Sequence, residues 1–122
     1  MGDAMKRDWD LVRSIMLKAE NLSERSEVVT DEDFPEVSSE LVNYHIKILG
    51  QAGLLEIIDV STLASSAYYT TGLTFEGHDF LDNIRSNNVW SKTVALVKSK
   101  GIELTVDSIK TAATIIITNL LK

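Results

Sequence analysis

The side chains best suited to chemistry are two histidines and one run of carboxylates. His45 and His78 are the only histidines, and the densest acidic stretch is Asp31 to Asp33 with Glu36. Histidine acts as a general acid, a base or a metal ligand, and carboxylates bind calcium. The acidic stretch lacks the ligand spacing and central glycine of a calcium loop. His45 lies among apolar residues at helical spacing, which predicts a buried structural histidine.

His78 directly follows Gly77 at a predicted helix start, where a structural hydrogen bond is a more common role than acid or base catalysis. The chain also has no glycine-rich phosphate loop and no nucleophile elbow. We therefore predict no catalytic residue, no metal site and no cofactor, and we expect that the protein is not an enzyme.

The composition is that of one ordinary globular domain. The 122 residues are 44% hydrophobic, enough to bury a core without a metal or a disulfide. Cysteine is absent, which excludes a disulfide framework and a thiolate zinc site. No apolar run approaches the roughly 20 residues of a membrane span, and the N-terminus lacks the apolar core of a signal peptide. A cytoplasmic location without membrane contact is expected.

Charge is distributed unevenly along the chain. Residues 1–75 contain six Lys or Arg against thirteen Asp or Glu, a balance of −7, whereas residues 76–122 contain six against five, a balance of +1. DNA affinity outside specific sites depends on Lys and Arg that neutralise phosphates. The first 75 residues are therefore expected to bind random DNA poorly as a monomer.

Two helices are predicted in the first half of the chain. The first runs from Asp8 to Leu22 and has a buried stripe of apolar residues at three- and four-residue spacing: Trp9, Val12, Ile15, Met16 and Ala19. The polar segment Ser23 to Glu36 predicts a loop with one short turn or helix. Ser38 or Ser39 caps the second helix, which ends at Gly53. On a helical wheel its core positions are Leu41, His45, Ile48, Leu49 and Ala52. The opposite side presents Ser39, Glu40, Asn43, Lys47 and Gln51, with Tyr44 and Ile46 at its edges.

A β-hairpin follows. β-Branched and aromatic residues predict strands at Leu54 to Val60 and Ala67 to Leu73, joined by the linker Ser61 to Ser66. A helix that stops at a glycine and leads into a hairpin is the recognition-helix-plus-wing arrangement of winged helix-turn-helix domains. We therefore predict a mainly α fold with a small β-hairpin (α+β), a winged helix-turn-helix with additional C-terminal helices.

Three further helices are predicted: one from about Phe75 to Ile84, one from Asn87 or Asn88 to Gly101, and one from near Thr105 onwards. The last helix carries a broad apolar stripe at Val106, Ile109, Ala113, Ile116, Ile117 and Leu120. This stripe either packs on the core or forms a homodimer interface, and the pattern favours neither. We predict one globular domain in which residues 1–86 form the winged helix-turn-helix core and residues 87–122 a helical extension packed on it.

Two short stretches resemble known winged-helix regulators. Residues 42–54, VNYHIKILGQAGL, resemble the recognition helix and helix stop of ArsR-type repressors, and residues 73–77, LTFEG, resemble the corner after the wing in MarR- and PadR-type regulators. Over nearly its whole length the sequence resembles the DUF2513 family, small uncharacterised proteins of bacteria and their phages. The stretches that carry this resemblance are residues 5–12, 44–49, 73–85 and 89–90. It implies a bacterial or prophage origin and no assigned activity.

The resemblance to winged-helix repressors implies a DNA interface on the helix that ends at Gly53. The residues that it assigns to base or phosphate contacts are Ser39, Asn43, Tyr44 and Lys47. Asparagine can read adenine through two hydrogen bonds, lysine can meet guanine or phosphate, and tyrosine can hydrogen-bond a phosphate. The chain departs from these repressors in having no Arg on this helix and no Lys or Arg from Leu54 to Gly77.

Two functions therefore remain open, and the resemblance to winged-helix regulators narrowly favours the first. One is a winged-helix transcriptional regulator that binds double-stranded DNA, as a homodimer through the C-terminal helix. The alternative is an acidic protein-interaction module on the same scaffold, which does not bind DNA and contacts a basic partner protein. The −7 balance of residues 1–75 motivates the alternative.

Overall fold

A computed structural model describes residues 6–24 and 26–122. Within these ranges the chain forms five α-helices, a short 3-10 helix and a two-stranded antiparallel sheet: α1 (Trp9–Glu20), the 3-10 helix (Asp31–Asp33), α2 (Ser39–Gln51), β1 (Leu55–Asp59), β2 (Tyr68–Leu73), α3 (Phe75–Ile84), α4 (Asn87–Ser99) and α5 (Val106–Leu120). The predicted mainly α class with a small hairpin is confirmed. The chain divides into two compact units, the first ending at His78 and the second spanning Asp79–Lys122.

Helix α1 begins after Asp8, whose carboxylate caps it by accepting a hydrogen bond from the N–H of Leu11 at 3.1 Å. Its buried residues are Leu11, Val12, Ile15, Met16 and Ala19. The predicted stripe is therefore confirmed except at Trp9, which is only half-buried. The guanidinium carbon of Arg7 lies 5.1 Å from the centre of the Trp9 ring, within the range of a cation–π contact.

Helix α2 begins after Ser38, whose hydroxyl accepts from the N–H of Leu41, and Gly53 follows its last turn with a φ of 80°. Its buried residues are Val42, Asn43, His45, Ile46 and Leu49. The predicted core face was therefore wrong in part: Leu41 and Ile48 are half-buried, Ala52 is exposed, and Asn43 points inward. Apolar residues occupy more than one face of this helix, so hydrophobicity alone does not fix which face is buried.

The hairpin forms as predicted, with Leu55 opposite Leu73 and Asp59 opposite Tyr68. The pairing shifts by one residue between Glu56 and Ile57, which gives β2 an extra residue and bends the ribbon. A third segment also pairs with this sheet, which the sequence did not predict. Val29 and Thr70 exchange two backbone hydrogen bonds, of 2.9 and 3.1 Å, which hold the segment before the 3-10 helix against β2.

Thr74 organises the corner between β2 and α3. Its N–H donates to the carbonyl of Leu54 at 3.1 Å, and its hydroxyl donates to the carbonyl of Gly53 at 2.5 Å. The same hydroxyl accepts from the N–H of Gly77 at 2.9 Å. Gly77 is pressed against the Leu54 peptide, because a Cβ at this position would overlap the Leu54 carbonyl oxygen. The corner therefore requires a hydroxyl at the threonine of the LTFEG stretch and no side chain at its glycine.

The second unit contains α4 and α5. Helix α4 begins after Ser86, whose hydroxyl accepts from Val89 N–H; the prediction that Asn87 or Asn88 caps it was wrong, because three adjacent residues have side chains suited to capping. Helix α5 begins after Thr105 as predicted. Its buried residues are Ile109, Ala112 and Ala113, whereas the later part of the predicted stripe is less buried, with Ile116 and Ile117 half-buried and Leu120 exposed. None of the helices in the described ranges has the length and hydrophobicity needed to cross a bilayer.

Candidate functional site

A groove of about 630 Å³ lies between one side of α2 and the loop that joins β1 to β2. We call it the α2–hairpin groove. Its lining residues are Asp31, Ser39, Glu40, Asn43, Tyr44, Lys47 and residues 64–68. All four side chains that the repressor resemblance assigned to DNA therefore line one surface. Their individual contacts decide what that surface can bind.

Asn43 has a structural position at the floor of the groove. Its side chain is only 6% exposed. Its amide nitrogen donates to the carbonyl of Ser39 at 2.9 Å, and its amide oxygen accepts from the backbone N–H of Tyr68 at 2.7 Å. Both ends of the amide are therefore occupied inside the chain. Asn43 fixes the start of β2 beside α2, and its amide is not free for the two hydrogen bonds that adenine recognition requires.

Ser39 connects the 3-10 helix to the first turn of α2. Its hydroxyl donates to a carboxylate oxygen of Asp31. The 3-10 helix is itself closed by a reciprocal pair of contacts between Thr30 and Asp33. The Asp31 carboxylate is thereby held at the rim of the groove, and the exposed Glu40 lies beside it on α2.

Lys47 faces the hairpin across the groove. Its ammonium lies 5.9 Å from the centre of the Tyr68 ring, within the range of a cation–π contact. On the hairpin, the hydroxyl and the N–H of Ser61 lower the pKa of Asp59, and the charge of Lys47 adds a smaller effect in the same direction. The ammonium of Lys47 therefore has an aromatic ring of its own chain within cation–π range.

Tyr44 and His45 stand next to each other on α2 with different surroundings. Tyr44 is half-buried in the groove wall, and its ring meets the His45 ring edge-on at 5.7 Å. His45 is entirely buried. Its Nε2 accepts from the N–H of Asp8 at 2.7 Å, and its Nδ1 lies 2.9 Å from the carbonyl of Leu41. This pattern assigns the proton to Nδ1, and the predicted buried structural histidine is confirmed.

The geometry thus separates the four predicted contact residues. Asn43 is committed to the fold, the Ser39 hydroxyl is bonded to Asp31, Lys47 contacts the Tyr68 ring, and Tyr44 remains partly accessible. The sequence did not single out Asp31 as a member of this surface. The polar segment that contains Asp31 has no periodicity that would have placed it against α2.

Comparison with known proteins identifies the family. The family described as "Hypothetical protein (DUF2513)" matches residues 6–103. The chain belongs to the DUF2513 family. Within the same comparisons, an uncharacterized protein of Haemophilus influenzae is similar to this DUF2513 protein, with 44% identity over 117 residues that cover 96% of this chain and 99% of that protein. No solved structure matches. The family resemblance predicted from the sequence is confirmed, and the DUF2513 match includes the whole α2–hairpin groove.

Replacing Asn43 of this DUF2513 protein by alanine is expected to lower the free energy of unfolding by about 2 kcal/mol. The change leaves the partly buried backbone N–H of Tyr68 without its acceptor. Urea denaturation followed by circular dichroism measures the effect. Asn88→Ala, at an exposed position of α4, is the matched control and should change stability by less than about 0.5 kcal/mol. Equal effects of the two substitutions would contradict the structural role of Asn43.

Proposed function

We propose that this DUF2513 protein is a protein-interaction module on a winged-helix scaffold, and that its α2–hairpin groove contacts a basic partner. The order of elements supports the scaffold. Helix α1 is followed by the Val29 bridge, the 3-10 helix, α2 and the hairpin, and Val29 pairs with the second hairpin strand. Helix α2 thus leads into a hairpin, which is the arrangement on which the winged-helix prediction rests, and the 3-10 helix lies where a helix-turn-helix keeps its first, supporting element.

The charge of the groove supports the choice of partner. Its rim carries the carboxylates of Asp31 and Glu40, and the ammonium of Lys47 is directed at Tyr68. Because like charges repel across a narrow polar surface, a phosphate backbone is disfavoured there, and arginine or lysine side chains are attracted. This arrangement is the single observation that carries the proposal.

The hairpin supports the same choice. A wing that enters the minor groove of DNA uses Arg or Lys, and this chain has neither from Leu54 to Gly77. The segment contributes Glu56, Asp59 and Glu76 instead. The charged side chains of this segment are all negative, so they attract a basic protein surface and repel the phosphates of duplex DNA.

Site-specific crosslinking tests the proposal. A photoreactive amino acid replaces Ser65 on the groove wall, and the intact protein is crosslinked in the cells that produce it. We expect a covalent product with a basic protein, and the yield of this product should fall at least about tenfold in the Asp31→Lys, Glu40→Lys variant. Glu103→Lys, an exposed charge reversal in the second unit, is the matched control and should leave the yield unchanged. No product, or one that the groove reversal leaves unchanged, contradicts the proposal.

A second candidate is a DNA-binding transcriptional regulator. It is favoured by the position of α2 beside the hairpin, with Ser39, Tyr44 and Lys47 along the groove. In this reading α2 enters the major groove, and a dimer spaces two such helices about one DNA turn apart. Selection from a random duplex library at low salt tests it, because an enriched sequence supports the regulator and complete absence of retention contradicts it. Charge reversal at Asp31 and Glu40 distinguishes the candidates, since it should strengthen DNA binding and weaken binding of a basic partner.

A further inference from the structure

A second surface lies between α4 and α5, within the second unit. It is a groove of about 430 Å³ whose walls include Leu96, Ile102, Ala112 and Ile115. We call it the α4–α5 groove. Ile102 is 55% exposed and Ile115 47% exposed. Large aliphatic side chains beside one concave surface are typical of a binding surface, whereas isolated exposed ones are ordinary.

We propose that the α4–α5 groove packs against the same groove of a second copy of this chain, which forms a symmetric dimer. Two charges at the groove support this occupant. Lys100 directly follows the end of α4, and Asp107 lies in the first turn of α5. Both line the groove, on opposite walls and near the short connection between the two helices.

A two-fold axis that runs along the groove makes these charges complementary. It places the α4 wall of one protomer on the α5 wall of the other, at the same height along the groove. Lys100 of each protomer then meets Asp107 of its partner, so the contact occurs twice. The two helical hairpins together form a four-helix arrangement in which Ile115 lies between the helices and Ile102 lies at the end where α4 and α5 are connected.

The overall charge distribution favours the same pairing. The second unit, residues 79–122, has six Lys or Arg against four Asp or Glu, a balance of +2, whereas residues 1–78 have six against fourteen, a balance of −8. Two copies that meet through the second unit therefore bring together weakly charged surfaces, whereas contact through the first unit brings two strongly negative surfaces together. A basic or an acidic partner finds one matching and one opposing charge at this groove, while a second copy matches both.

Sedimentation velocity of the full chain over a roughly hundredfold concentration range tests the dimer. We expect the mass to rise from that of the 13.5 kDa chain towards twice that value. Ile115→Glu places a charge in the apolar centre and should raise the dimer Kd at least about a hundredfold. Leu121→Glu is the matched control, since Leu121 is also exposed near the end of the chain and does not line the groove. It should leave the Kd unchanged.

Charge exchange tests the pairing without altering the apolar groove. Lys100→Glu and Asp107→Lys should each raise the Kd about tenfold, and the double variant should return it to within about threefold of the original. A thermal melt of each variant verifies that it folds, and the charge variants keep the test decisive where Ile115→Glu does not fold. A monomer at every concentration overturns the proposal. So does a dimer that Ile115→Glu leaves intact, or one that the double exchange does not restore.

Discussion

Replacement of His45 by alanine is expected to lower the free energy of unfolding by about 4 kcal/mol. The side chain is entirely buried in the first unit, so truncation leaves a cavity. It also removes the acceptor of the Asp8 N–H, which lies at the first turn of α1, and the donor to the Leu41 carbonyl. The loss therefore combines a packing term and a hydrogen-bonding term at one position.

Two further variants separate these terms. His45→Phe keeps most of the volume and removes both hydrogen bonds, so we expect a loss of about 2 kcal/mol, roughly half that of alanine. His78→Ala is the matched control, because His78 is exposed at the start of α3, and it should change stability by less than about 0.5 kcal/mol. Chemical denaturation of the three variants at one pH provides the comparison. A His45→Ala protein as stable as His78→Ala would show that the two ring contacts do not stabilise the fold.

Gly77→Ala is expected to destabilise the protein by about 3 kcal/mol. In an ordinary helix the change from glycine to alanine favours folding by nearly 1 kcal/mol. At Gly77 the new methyl group would overlap the carbonyl oxygen of Leu54 and lie 3.0 Å from its carbonyl carbon. Backbone atoms cannot rotate away as a side chain can, so the corner between β2 and α3 must open. The three Thr74 hydrogen bonds at this corner would lengthen with it.

Gly50→Ala provides the comparison for this prediction. Gly50 also lies in a helix, and a Cβ there would lie 2.5 Å from Cδ1 of Ile57. The Cγ1 and Cγ2 of Ile57 would also be close, at 2.8 and 3.0 Å, so the half-buried, β-branched Ile57 must shift as a whole. We expect a loss of about 2 kcal/mol, smaller than that at Gly77 because a side chain yields more readily than a peptide group. Thermal or urea denaturation ranks the two variants. Similar losses for both would mean that the Leu54 peptide moves as readily as the Ile57 side chain.

The local structure could largely be predicted from the sequence, because its signals are local. The hairpin follows from two β-branched runs around a polar linker, and α5 begins after Thr105 because this threonine caps an apolar helical pattern. The stop at Gly53 follows from the freedom of glycine to adopt a positive φ. Each of these features depends on residues within a few positions of one another.

The orientation of α2 could not be predicted in the same way. The apolar residues Leu41, Val42, Ile46, Ile48 and Leu49 occupy a sector of the helical wheel wider than the roughly 100° stripe of one buried face, so the pattern does not decide which part of that sector is buried. The burial of Asn43 is explained by a backbone N–H donor 25 residues away in β2. No pattern within α2 identifies that donor. The contact between Val29 and Thr70 was not predicted either. A strand is recognised from apolar and polar residues that alternate over several positions, and a single bridged residue gives no such pattern.

The sequence predicted which α2 residues share a surface, but it did not predict the contacts that those residues make. The four residues assigned by resemblance do line one groove. Each residue can contact DNA only if its polar atoms are not already bonded within the protein. The residue type alone does not show whether they are. Asn43 and Lys47 have partners within the chain, whereas the Asp31 carboxylate joins the groove from a segment without periodicity.

The long-range contacts of α2 also determine how the first unit comes apart. His45 bonds to a residue 37 positions earlier, and Asn43 to one 25 positions later. Melting of α2 therefore releases the beginning of α1 and the beginning of β2 in one event, because each loses a partner that no neighbouring residue replaces. Amide protons at Asp8 and Tyr68, far apart in the chain, should exchange with solvent through a shared opening.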